Sequence, residues 1–201
     1  MNDPGNDPLL RGLAAGDSRA FAALYDRFGE RLFRSAMAML GQTADAEDAV
    51  QEVFVALVRS RKRLGDVRDL TAYLFTALRR AAAQQAARRA REPTACRAVE
   101  AAAARESRPA ADDPRGERLE SALSALPPEQ REVIALKIDG QLTFAQIGQA
   151  MGVSINTAAS RYRYALEKLR ASLAAAECSP RKQEDRPIFA EKDPQQSPTR
   201  E

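Results

Sequence analysis

Histidine and tryptophan are absent from the 201 residues, and cysteine occurs only as Cys96 and Cys178. Without an imidazole there is no Cys/His zinc site and no His-based acid–base chemistry, and the distant cysteines form no CxxC pair. They exclude a disulfide framework and read as two reduced thiols. No Gly-rich phosphate loop is present, so no cofactor, no metal and no enzymatic activity are expected. No apolar run approaches the roughly 18 residues that a membrane span needs. The opening MNDPGNDP has neither a basic nor an apolar stretch, so it is not read as a signal peptide, and the expected location is cytoplasmic. Aromatic residues are only 5% of the chain, and the long Val/Ile/Thr alternations of strands are missing.

What remains is alanine-rich and helical in its periodicity, with 44% hydrophobic residues. The expected fold is all-α, with two small helical domains joined by a flexible linker and a helix-turn-helix in the second. Residues 1–6 read as a loose N-terminus, 7–92 as the first domain, 93–116 as linker, 117–176 as the second domain and 177–201 as a disordered tail. In the first domain Asp7-Pro8 starts a short helix that Gly16 stops, and Asp17 or Ser18 caps the next. That helix carries Phe21, Leu24, Tyr25, Phe28, Leu32, Ala36 and Met39 at helical spacing up to Gly41. Thr43 is expected to cap a helix to Arg61 with Val50, Val53, Phe54 and Leu57 inside, followed by a charged loop over 60–69. Leu70–Arg91 forms the fourth helix, with a short helical stretch possible for the composition over 98–106.

The net charge is only +3, so distribution matters more than the total. Asp45, Asp48 and Glu52 share one helix face, whereas Arg80, Gln84, Arg88 and Arg91 recur at i, i+4, i+8 and i+11. An arginine stripe of this kind suits the phosphates of a nucleic-acid strand, and a ring such as Tyr73 or Phe75 either stacks on bases or packs in the core.

The most informative stretch is TFAQIGQAMGVSINTAASRYRYALEKLR. Thr143 and Gln146 form a capping box. A short helix follows, Gly152 supplies a sharp turn, and Ser154 or Asn156 caps a longer helix with Ala158, Tyr162, Ala165 and Leu169 inward. Thr157, Ser160, Arg161 and Tyr164 are assigned to the other side. This is a helix-turn-helix layout, in which the first turns of the second helix enter the major groove. Thr143, Ser154, Asn156, Thr157, Ala159, Ser160, Arg161 and Arg163 are the candidate duplex contacts.

The segment LPPEQREVIALKIDGQLTFAQIGQAMGVSINTAASRYRYALEKLR resembles the promoter-reading C-terminal domain of the extracytoplasmic-function (ECF) sigma factors of the sigma-70 family. The resemblance is carried by Leu126, Pro127, Arg131 and Val133, by Thr143, Phe144, Ile147 and Gly148, and by Thr157, Ser160, Arg161, Ala165 and Leu169. FAALYDRFGERLFRSA and DAEDAVQEVFVAL resemble the family's first domain. The resemblance implies a subunit that lends core RNA polymerase its choice of promoter. Asp45, Asp48, Gln51 and Glu52 would face the polymerase, whose β′ and β subunits are the expected contacts. Arg79, Arg80, Gln84, Arg88 and Arg91 would hold the opened −10 strand, and the helix-turn-helix would read the −35 duplex. An anti-sigma factor is a further partner that the family admits. This chain has Tyr73 where many members carry Trp, and Tyr164 where members often carry a basic residue. The bland account of the early acidic residues is that they complement the helix dipole. The rival reading of the whole is a stand-alone helix-turn-helix regulator, but the N-terminal half shows neither a βα repeat nor a heptad seam.

Overall fold

The computed structural model describes residues 6–91 and 114–178, all helices and their connections. Four α-helices form the first half: α1 (Asn6–Ala15), α2 (Ser18–Leu40), α3 (Thr43–Arg59) and α4 (Leu70–Arg91). A 3₁₀ turn, Arg61–Asp66, lies between α3 and α4. The second half holds α5 (Pro114–Ser124), α6 (Pro128–Ile138), α7 (Phe144–Met151) and α8 (Ile155–Cys178). The expected helical stretch over 98–106, Cys96 and the tail beyond 178 lie outside the described residues.

Local signals account for most boundaries. The Asp17 carboxylate caps α2 by accepting from the Arg19 N–H, and Gly41 ends it with φ 73°. Pro128 opens α6, where a missing N–H costs nothing. The capping box on α7 forms as expected, with the Gln146 N–H on Thr143 Oγ1 and the Thr143 N–H on Gln146 Oε1. Two expectations fail. The N-cap of α3 is Gln42, and Thr43 is already helical. The charged loop over 60–69 is instead largely the 3₁₀ turn, organised by Leu64, which is fully buried and packs toward α1.

The core of the first half is the row Leu24, Phe28, Leu32 and Ala36 of α2 against Val50, Val53 and Leu57 of α3 and Leu74, Phe75 and Leu78 of α4. Burying each large side chain contributes about 1.5–3 kcal/mol. A smaller cluster, Ala122, Leu126, Ile134, Ala165 and Leu169, holds α5 and α6 to α8. In α6 the buried set is Val133, Ile134, Ala135 and Leu136, while Ile138 is 56% exposed.

The two halves are packed together rather than held apart. Val133, Leu136, Leu142 and Ile147 belong to the same apolar cluster as Phe28, Phe75 and Leu78. At Gly140 an added Cβ would lie 2.5 Å from the Leu136 carbonyl and 3.1 Å from the Phe75 ring, so only glycine lets the α6–α7 connection come this close. Arg31 donates from Nε (2.9 Å) and Nη2 (2.5 Å) to the Asp139 carbonyl, with its guanidinium over the rings of Phe28 and Phe75. Burial lowers the pKa of Arg31 from the ordinary arginine value, opposed by the nearby Asp139 charge. The Asp139 carboxylate takes Arg34 at 3.1 Å and the hydroxyl of buried Ser35 at 3.3 Å. Gln146 of α7 donates to Asp69 at 2.7 Å.

Candidate nucleic-acid interface

The helix-turn-helix is α7, Gly152 and α8. Gly152 adopts φ 68°, and nothing stands within 4 Å of where its Cβ would be, so backbone conformation and not crowding selects glycine here. Ile147 and Met151 of α7 and Ala158 of α8 are buried across the angle, and Val153 packs into it. Ser154 is the N-cap of α8: its hydroxyl accepts the Thr157 N–H at 3.0 Å and shares a 2.8 Å hydrogen bond with the Thr157 hydroxyl. Among the expected duplex contacts, Thr143, Ser154, Asn156, Thr157 and Arg163 are exposed, and Ala159 and Ser160 are half-buried. Thr143, Ser154 and Thr157 spend hydrogen-bonding capacity on capping, which gives them a structural duty beside any DNA contact.

Arg161 differs from its sequence assignment. It was placed opposite the apolar line of α8, but at 100° per residue it falls between that line and the outward face, and it is half-buried. The residues pointing farthest outward are Asn156, Ser160, Arg163 and Tyr164. Tyr164 is 50% exposed, and its ring carries the Arg163 guanidinium at 5.2 Å from the centroid.

On α4 the stripe forms as expected: Arg80, Gln84, Arg88 and Arg91 are all exposed along one face. Arg79 leaves that face. It is half-buried against the second half, donating to Glu132 at 2.5 Å and to the Ala150 carbonyl at 3.2 Å. The candidate stacking rings are also accounted for. Phe75 is fully buried, with Arg31 over it, and the Tyr73 hydroxyl is hydrogen-bonded to Ser60 at 3.0 Å.

On α3, Asp48 and Gln51 are exposed and Glu52 is half-buried. Asp45 turns instead toward α4 and pairs with Arg89. Beside Gln51 runs a feature that includes Val50 and Phe54, expected on the inner face of the helix. Phe21, Tyr25, Gly29 and Phe33 of α2 and Val50, Gln51, Phe54 and Val58 of α3 line an open groove of about 1020 Å³, rimmed by Asp26, Glu30 and Glu47. Tyr25 and Val58 are 60% and 45% exposed, and the rings of Tyr25 and Phe54 meet at 5.5 Å. A signal for it exists in the sequence. Phe21, Tyr25, Gly29 and Phe33 form a second i, i+4 row beside the buried row Ala20, Leu24, Phe28 and Leu32, and one helix cannot bury both rows on one neighbour.

The comparisons agree with this layout. Residues 24–92 match the family model of Sigma-70 region 2, and residues 122–171 match that of Sigma-70 region 4. The chain is 30% identical over 174 residues to the ECF RNA polymerase sigma factor SigK of Mycobacterium tuberculosis, covering 82% of this chain and 91% of that protein. SigK of Mycobacterium ulcerans is 30% identical over 176 residues, covering 84% of this chain and 93% of that protein. Among solved structures, CnrH in complex with the cytosolic domain of CnrY superposes with a TM-score of 0.57 at 27% identity, over 83% of this chain and 96% of that one. RpoE from Bartonella quintana, bound to the anti-sigma factor NepR, shares the fold with a TM-score of 0.58 at 23% identity, over 77% of this chain and 96% of that one. The chain belongs to the ECF sigma factors of the sigma-70 family. It is therefore a sigma factor, a regulatory subunit that directs transcription by RNA polymerase, and a region 2 beside the helix-turn-helix sets aside the stand-alone regulator. Among the described residues no helix is long and apolar enough to cross a membrane.

Proposed function

We propose that the first half docks on core polymerase and holds the opened −10 strand, and that the second half reads the −35 duplex. Core polymerase binds the α2–α3 face. Asp48, Gln51 and Glu52 supply its polar contacts and Tyr25, Phe54 and Val58 the apolar ones. The β′ subunit is the expected partner there, with β contacting the remainder. Arg80, Gln84, Arg88 and Arg91 track the phosphates of one strand, and Asn156, Ala159, Ser160 and Arg163 approach base edges in the major groove. Arg161, at the flank of α8, suits a phosphate better than a base. By analogy with RpoE bound to NepR, an anti-sigma factor is a further protein partner of this chain.

The observation that carries this reading is the single exposed line of Arg80, Gln84, Arg88 and Arg91 on α4. The test is transcription reconstituted with purified core polymerase. The wild-type chain should make core initiate at a defined site and render −10 thymines reactive to permanganate. Arg80→Ala with Arg88→Ala should still co-purify with core but lose that reactivity. Full strand opening by this double variant would remove the −10 assignment.

A further inference from the structure

Of the five residues assigned to the −10 strand, Arg79 alone is committed to acceptors from the other half. Its Nε donates to Glu132 Oε1 at 2.5 Å and its Nη1 to the Ala150 carbonyl at 3.2 Å. Glu132 lies on α6 and Ala150 on α7, both in the second half, so Arg79 reaches these two oxygens only while the halves are packed together. The Arg79 and Glu132 side chains are 28% and 18% exposed. A carboxylate oxygen at this distance meets a guanidinium as a non-bridging phosphate oxygen does, as a charged acceptor lying along the N–H fork.

We propose that Glu132 is an internal stand-in for a DNA phosphate, occupying Arg79 until the single strand displaces it. The proposal rests on the reading of Arg79 as a −10 contact. Arg79 turns its Nε and Nη1 toward Glu132 and Ala150 and is only 28% exposed, so a strand phosphate that takes the same edge of the guanidinium competes with Glu132 for it. Glu132 contributes its charge here, while its neighbour Val133 is fully buried and carries the packing. Glu132→Gln therefore removes the competitor's charge and leaves the shape of the interface intact.

The experiment measures binding of the full chain to a fluorescent oligo(dT) of about twelve nucleotides, within the site sizes usual for single strands, by anisotropy at low salt. Thermal melting and far-UV circular dichroism verify each variant's fold. Glu132→Gln should bind about threefold tighter than wild type, the scale of one partly exposed ion pair. Arg79→Ala should bind more weakly, and Arg79→Ala with Glu132→Gln should bind no tighter than Arg79→Ala alone. Glu129→Gln, which removes an exposed carboxylate from the same helix, should leave affinity unchanged. If Arg79→Ala weakens binding and Glu132→Gln does nothing, Arg79 is a DNA ligand and Glu132 is not its competitor. If Arg79→Ala binds like wild type, the reading of Arg79 fails and the proposal with it. A gain from Glu132→Gln that survives Arg79→Ala, or is matched by Glu129→Gln, is general charge relief and overturns the proposal.

Discussion

The two faces proposed to meet nucleic acid in this sigma factor differ in readiness. On α8 the outward residues Asn156, Arg163 and Tyr164 meet solvent, and the helix start is already capped by Ser154. On α4 the stripe of Arg80, Gln84, Arg88 and Arg91 is open, but Arg79 is held by Glu132 and Phe75 is sealed beneath Arg31. The proposed duplex-reading surface thus lies mostly on one helix, clear of the contact between the halves. The proposed strand-holding surface shares its edge with the interdomain contact. Where a recognition surface lies against a packing surface, the sequence shows the residues but not which duty each performs.

The comparison can be broken first at Phe75. If the contact joins the halves as closely as the shared apolar cluster implies, Phe75→Ala should cost about 3–5 kcal/mol of stability. Calorimetry should then show the second half's melting moving with the first; an unmoved second transition would mean that the halves fold independently. Next in size is Asp139→Ala, which strips Arg34 of an ion pair and leaves the buried Ser35 hydroxyl without its carboxylate. A loss of about 1–3 kcal/mol is expected, with no change in −35 duplex binding by gel shift, since α8 takes no part in that clasp. On the other face, Arg163→Ala should cost about 1–3 kcal/mol and relax preference at one base pair in a panel of single-base variants. Arg161→Ala should instead weaken all duplexes alike and lower the salt slope by about one. Exchange of these two signatures would reverse the base and phosphate assignments on α8. The smallest effect is expected from Thr143→Ala, about 1 kcal/mol of stability from the lost cap, read by urea denaturation.

Much of this was legible beforehand. The bounds of α4, the capping box at Thr143 and Gln146, and the turn at Gly152 depend on residues within a few positions of each other, where short-range rules act. The arginine stripe followed from the same periodicity. The misassigned residues were those whose environment is set from afar. Tyr25 looks like core by hydropathy, yet it is 60% exposed, and among the described residues no third helix covers its row. Arg31 and Asp139 are 108 positions apart, with no local pattern to link them. Asp45 shares a helix face with Asp48 by spacing, but the reach of Arg89 from α4 turns it away from the outer surface. Leu64 sat in a stretch so charged that its role as the anchor of the 3₁₀ turn left no periodic trace.

The bare backbone at Gly140 also sets how closely the two halves can approach. Its Cα stands where a methyl group would press on Phe75 from one side and on the Leu136 carbonyl from the other. Part of that strain would fall within the second half itself, and the rest would act only while the halves touch. Alanine, then valine, at this position would form a graded wedge, weakening the contact between the halves tenfold for about every 1.4 kcal/mol of interdomain strain. The fit of one half against the other thus hangs on one absent side chain.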